Sequence, residues 1–335
     1  MRETLFISFL LLLATACNYG SGPGSAGFPP EKQLDSSMRT VFVPVPDHPG
    51  EPGDNIVYAA SFALAWDELA RILGSDPAGT DPLVRRLNAA DIHEGAHAKE
   101  AYEVKASVTD DELRASAVFA KALPFAVPFS RLERGMLFDR KTKVRAFGMA
   151  RYDGPQAAQM QLLYYSNDDL FVLRLTAGPE RDEILLAKGF CDGVRLSVMT
   201  GRVEAAVERG KKAQAKGADG WKYVIGAEDE VYIPEIRFHL STEYRELINK
   251  QVMVRGQTLH IIEAAQRTAF VLDEKGIILE SESVVGSDSS ANAAPPKLLH
   301  FDKPFLIMIR EQQAKHPYFI MKVANTECMV KAEKK

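Results

Sequence analysis

"FDKPFLIMIREQQAKHPYFIMKVAN", residues 301–325, reads as two apolar runs on either side of a charged turn. Phe305 to Ile309 and Tyr318 to Val323 have strand length and composition, and "REQQAKH" between them is the polar connection of a β-hairpin. The end of the chain is therefore β-structure.

Working back from this hairpin, "RTAFVLDEKG" (267–276) begins as a strand and dissolves into "IILESESVVGSDSSANAAPPK", a polar stretch of small residues. "IRFHL" (236–240) alternates as a strand, and Ser241 or Thr242 would cap a following helix with Glu243 and Glu246 in its early turns. "KVRAFGMARY", "QMQLLYYS" and "LFVLRLT" are strand-length runs in the middle of the chain. "NIVYAASFALAWDELARILG" (55–74) has apolar residues at helical spacing, with Asn55 as a cap and Gly74 as the closing residue, which predicts one buried helix. The class is α+β, with helices early and strands late.

The beginning of the chain is different in kind. Arg2 is followed by the apolar run Leu5 to Leu13 and then by Ala14-Thr15-Ala16-Cys17, a pattern too short to span a bilayer and suited to a cleaved secretion signal over residues 1–16. The small residues ending at Cys17 resemble the bacterial lipobox, in which that cysteine receives lipid; a plain Ala-x-Ala cleavage would leave Cys17 an ordinary thiol. Either reading places the protein outside the cytoplasm, lipid-anchored at the cell envelope in the first. Residues 17–54 are dense in Gly and Pro and read as a tether, so the folded domain is expected over 55–335. Cys191 and Cys328 are expected as buried thiols. A net charge of −4 gives no electrostatic reason to expect nucleic acid, and 26% charged with 46% hydrophobic residues is ordinary globular composition.

The closing stretch resembles the terminal signature of the serpins, Phe-Asn-Arg/Lys-Pro-Phe followed by a strand, a charged turn and a strand ending in Val-x-Asn-Pro. Phe301, Pro304, Phe305, Pro317, Phe319, Val323 and Asn325 stand in register with it, and Asp302 and Thr326 depart from it. "FVLDEKG" is similar to the strand leading into the family's reactive loop, "SAVFAKALPFAVPF" to its Asn-Ala-x-Tyr-Phe-Lys-Gly-x-Trp-x-x-Pro-Phe strand, and "NIVY" and "IPEIRFHLSTEYREL" to two further segments.

This resemblance implies a serpin-like fold, helices packed on mixed and antiparallel sheets, with an exposed reactive loop at about 277–300. It implies no enzyme and no cofactor. Its implied role is inhibition of a serine-type protease, in which the cleaved loop inserts as a new strand of the main sheet; the alternative is a non-inhibitory binding or structural module at the cell surface. Glu274 and Gly276 would form the loop hinge. Of the following residues Ile277, Leu279, Ser281 and Ser283 would turn inward, and Ile278, Glu280 and Glu282 outward. No charge would be buried, but two bulky side chains stand where the family uses Thr and Ala, at about 1–3 kcal/mol of overpacking each. Counting along the loop places the scissile bond near Ser290-Ala291, suited to an elastase- or subtilisin-like protease. The polar latch under the sheet would read Ser116 and Gln266, and the family's Trp would read Phe125 or Pro124.

"DIHEGAHAKE" (91–100) also contains His93-Glu94-x-x-His97, which on a helix places two imidazoles one turn apart beside a carboxylate. No convincing third ligand follows among Glu100, Glu103 and Glu112, and Ile92-His93-Glu94-Gly95 resembles a serpin helix segment, so no metal site is expected. The basic run "RGKKAQAKGADGWK" (209–222) reads as a solvated surface with a capacity for anions.

Overall fold

The hairpin expected over residues 301–325 forms, and it lies inside the largest sheet of the molecule. The computed structural model describes residues 27–90, 102–177, 182–217, 219–275, 295–312 and 314–333. In chain order they form β1 (Lys32–Gln33), β2 (Thr40–Phe42), β3 (Asn55–Ala59), α1 (Ser61–Leu73), α2 (Pro82–Asn88), β4 (Tyr102–Thr109), β5 (Glu112–Ala122), β6 (Ser130–Phe138) and β7 (Thr142–Met149). There follow α3 (Gly154–Ala157), β8 (Met160–Asn167), β9 (Leu170–Thr176), β10 (Asp182–Lys188), α4 (Leu196–Ala215), a 3₁₀ turn at Gly220–Tyr223, β11 (Glu230–Pro234) and β12 (Ile236–Glu243). The chain closes with β13 (Gln251–Val254), β14 (Gln257–Leu272), β15 (Leu298–His300), β16 (Phe305–Glu311) and β17 (Phe319–Val323). The class is α+β.

These strands make three sheets. The first has the order β1-β12-β14-β5-β4, with β13 folded back on β14; the second runs β2-β3-β17-β16-β10-β9-β8; the third runs β15-β11-β7-β6. β16 and β17 pair antiparallel from Phe305 opposite Val323 to Ile309 opposite Phe319. All five residues of β17 are buried, because the first sheet covers one side of it and α4 packs near the other. The contact to the first sheet is aromatic: Phe319 stacks on Phe119 of β5 at 5.4 Å and on Phe270 of β14 at 4.5 Å.

Four expectations are corrected here. Residues 55–74 are not one helix: Asn55–Ala59 is a fully buried strand between β2 and β17, and α1 starts at Ser61. Helical spacing misled because Ile56, Val57 and Tyr58 are apolar on both faces, the pattern of a strand in the middle of a covered sheet. Asn55 caps nothing; its side-chain oxygen accepts from the backbone N–H groups of Ala324 and Asn325 and fixes the end of β17. Gly74 does close α1, in the left-handed region at φ 68°.

Residues 17–54 are not a free tether throughout. Lys32–Gln33 adds to the edge of the first sheet parallel to β12, Thr40–Phe42 adds to the second beside β3, and Val43 and Val45 are buried. The short apolar runs between the prolines carry this packing. Residues 241–246 form no helix: β12 continues through Glu243, with Ser241 and Thr242 paired to Arg267 and Gln266 of β14. The loop expected to reach residue 300 ends earlier, since Leu298–His300 is paired in parallel with β11.

Because Phe319 lies fully buried between both stacking partners, Phe319→Ala is expected to lower stability by about 3–5 kcal/mol in denaturant titration, while Tyr152→Ala, at an exposed ring, should stay within about 0.5 kcal/mol.

Candidate functional site

β5 and β14 are parallel neighbours from Glu112 opposite His260 to Ala122 opposite Val271, with one shift between Ile261 and Glu263. Parallel strands in direct contact are joined by evenly spaced, slanted hydrogen bonds, and every one of them must break if a further strand is to enter between the two. The inner side of this seam is lined by Ala115, Ala117 and Ala264, all buried, before it reaches Phe119 and Phe270. Buried Gln266 and Thr268 share this face with the alanines, and the rings of Phe119 and Phe270 over Phe319 close its far end.

Ser116 and Gln266 do not form a joint latch. Ser116 pairs with Ala265 and is part-exposed, while Gln266 pairs with Ala117 and is buried, so the two lie on opposite faces of the sheet. A one-residue difference in register reverses the face of a strand side chain, and the residue under the sheet is Ala117. Gln266 has other partners: Tyr244 donates its hydroxyl proton to Oε1 at 2.6 Å, and Nε2 donates to Thr268 at 3.0 Å. Burial pushes the Tyr244 phenol well above its ordinary range, so it remains a neutral donor, and its ring packs on Phe62 at 4.4 Å.

At the far end of β14 the chain is held by charge. Glu274 pairs with Arg131, Asp273 accepts from Arg237 at 2.9 Å, and Glu235 lies 2.9 Å from Arg145 and 3.6 Å from Arg237. Three carboxylates and three guanidinium groups thus meet where the seam ends. Burial holds the Glu235 carboxyl above its ordinary range even beside Arg145, and the neighbouring Glu274 charge adds to the shift. Two backbone bonds reinforce the cluster: Phe125 N–H donates to the Lys275 carbonyl at 3.3 Å and Phe129 N–H to the Glu274 carbonyl at 3.0 Å. Phe125 is fully buried against Phe129 and Phe147, which places it, and not the part-exposed Pro124, at the aromatic position.

Glu274, expected as a hinge residue, lies just after β14 and pairs with Arg131. Gly276, Ile277, Leu279, Ser281, Ser290 and Ala291 lie outside the described residues, as do Cys17 and the His93, Glu94 and His97 motif. The chain re-enters at residue 295 and is fixed by Lys297, whose ammonium is 2.7 Å from the Asp229 carboxylate, both side chains being almost fully buried. Asp168 also accepts from Leu298 N–H at 3.1 Å. Segment 276–294 thus starts from the first sheet and ends in the third, with an ionic fastening on each side. Sequence reading missed Arg131, Arg145, Arg237, Asp229 and Lys297, since their partners are 36 to 143 positions away. Among the described residues no three His, Cys, Asp or Glu side chains converge as a metal site.

Residues 238–326 match the family model for serpins (serine protease inhibitors). No curated protein matches the chain. Similar solved structures include Manduca sexta serpin-12, at 10% identity and TM-score 0.40 over 64% of this chain and 56% of that one. SRPN18 from Anopheles gambiae gives 9% and 0.41 over 64% and 56%, and uncleaved ovalbumin 12% and 0.39 over 64% and 54%. The chain spans little more than half the length of these structures.

Two measurements follow from the charge cluster. Arg131→Ala should cost less than about 1 kcal/mol, because Arg131 is half-exposed, yet hydrogen exchange at residues 273–275 should quicken. Glu235 has a folded pKa above its unfolded one, so its contribution to stability falls as pH rises from the ordinary carboxylate range through the folded value. The stability difference between the native chain and Glu235→Gln should decline over that window and be flat below it.

Proposed function

We propose that this chain, whose residues 238–326 match the serpin family model, inhibits a serine-type protease by cleavage of segment 276–294 and insertion of its first residues between β5 and β14. The observation that supports this reading is the seam itself: two long parallel strands paired directly, one of which, β14, leads into segment 276–294. The protein acts as a substrate that traps its protease, not as an enzyme.

The thermodynamics of insertion are favourable in outline. One β5–β14 ladder is exchanged for two ladders, and a net hydrogen bond contributes about 1 kcal/mol. Against this stand Ile277 and Leu279, at about 1–3 kcal/mol of overpacking each, and the opening of the Phe119–Phe319–Phe270 stack. Insertion is thus favoured by the added ladder and opposed by the two bulky residues and by the opening of the ring stack.

The place of action proposed is outside the cytoplasm, with Cys17 lipidated and the protein held at the envelope, and the small residues around Ser290-Ala291 suit an elastase- or subtilisin-like target. Burial pushes the thiol of Cys328 up to about 12, whereas Cys191, expected as a buried thiol, is only part-buried, so a thiol reagent must be located residue by residue. Native protein purified from its own membrane should therefore carry no maleimide on Cys17 when labelled sites are mapped by peptide mass; a labelled Cys17 contradicts lipidation.

For the inhibitory reading, nicking with subtilisin should raise the melting temperature by an amount on the order of 10 °C, and Ile277→Thr with Leu279→Ala should increase the fraction of protease trapped. An unchanged melting temperature in both native and doubly substituted chains would favour the non-inhibitory module.

A further inference from the structure

The face that the second sheet turns toward the first ends in two acids. Phe319, Ile309 and Ile184 are directly opposite one another across β17, β16 and β10, and this row carries the ring that stacks on Phe119 and Phe270. Two positions along β16 and two back along β10 stand Glu311 and Asp182, again directly opposite and, by strand alternation, on the same face. Like charges so placed repel. Asp182 is buried and Glu311 part-buried.

The cation that meets them comes from the seam. Lys121 stands two residues after Phe119 on the inner face of β5, and its ammonium is 2.7 Å from the Asp182 carboxylate, with the two side chains 11% and 4% exposed. Tyr102, directly opposite Phe119 on β4, has its phenol raised by burial and by the Glu311 charge, so the acids face both strands of this half of the first sheet. Lys121 is opposite Phe270 of β14, and only the pair Ala122 and Val271 lies beyond it in the ladder. The ion pair therefore sits at the end of the seam from which β14 leads into segment 276–294.

We propose that the Lys121–Asp182 pair is a clasp that holds β5 to the second sheet and sets how readily the seam opens. The proposal rests on the reading that the cleaved segment enters between β5 and β14. Admitting a strand moves β5 and β14 apart by about 4.8 Å, one strand spacing. The β14 side is tied down through Gln266 to Tyr244 and, by way of β12, through Phe238 to Phe42, so the displacement falls on β5 and β4. Apolar contact with Phe319 can be remade after such a shift, because it has no fixed direction. A buried ion pair is different: its separation leaves Asp182 beside Glu311 with its charge uncompensated. Lys121 is thus a positioning residue, which keeps β5 in register over the second sheet until the pair parts.

The test compares the native chain with Lys121→Met and Asp182→Leu combined, a replacement of a buried pair by apolar side chains that preserves folding where a single change strands a charge. Hydrogen exchange is read on the uncut proteins. The expected result is exchange at least about tenfold faster at residues 119–122 and 268–271, with the hairpin amides of 305–309 and 319–323 unchanged. A merely structural role would quicken both sets alike; that outcome, or no change at the seam, overturns the clasp. After nicking with subtilisin the double variant should also reach its raised melting temperature sooner than the native chain. If neither protein gains melting temperature, the inhibitory reading fails by itself, while exchange in the uncut chain still decides the role of the pair.

Discussion

The rest of the structure depends on one ring. Phe319 comes from the second sheet and lies against Phe119 and Phe270, which belong to the two strands of the seam in the first sheet. As long as it stacks on both, β5 and β14 are held side by side, and the hydrogen-bond ladder between them stays closed. Phe270 extends the stack to Phe238 of β12 at 5.8 Å, and Phe238 to Phe42 of β2 at 6.4 Å. The aromatic series therefore couples the N-terminal segment, the fixed half of the first sheet and the seam. Offset and tilted ring pairs each contribute about 0.5–1.5 kcal/mol beyond burial, so the series is a substantial part of a marginal stability.

Above the rings the restraint changes from packing to charge. Arg131, Arg145 and Arg237 hold the carboxylates of Glu274, Glu235 and Asp273; of these groups Arg131 alone is half-exposed, while Glu235 and Asp273 are buried. The buried Lys297–Asp229 pair at the other stem is different in kind, because removing one partner leaves an uncompensated charge in the interior. Both stems of segment 276–294 are therefore fastened by buried carboxylates, with the Arg131–Glu274 pair the more solvent-accessible part.

Much of this was legible in the sequence where motif and pattern coincide. Residues 301–325 have the spacing of a hairpin and the residues of a family signature, and the strand before Glu274 was readable for the same reason. The misreadings have a common physical cause. Asn55–Ala59 is apolar on both faces, so periodicity cannot tell a covered strand from a helix. Residues 17–54 look like a spacer because they are dense in Gly and Pro, while the packing is carried by Val41, Phe42, Val43 and Val45. Ser116 was misplaced by one position, and in a strand one position is the other face. The arginine and lysine fastenings were invisible, because an ion pair between distant residues leaves no local trace.

The central claim is that β5 and β14 separate to admit the cleaved segment, and a covalent lock tests it most directly. Val118 and Arg267 are paired across the seam on its outer side, at the roughly 4.8 Å spacing of neighbouring strands, which a disulfide can span. With Val118→Cys and Arg267→Cys, subtilisin should nick the oxidised and reduced forms alike, but only the reduced form should gain melting temperature. An equal gain in both forms would mean that the stabilisation arises without opening the seam, and the account of this site would be wrong.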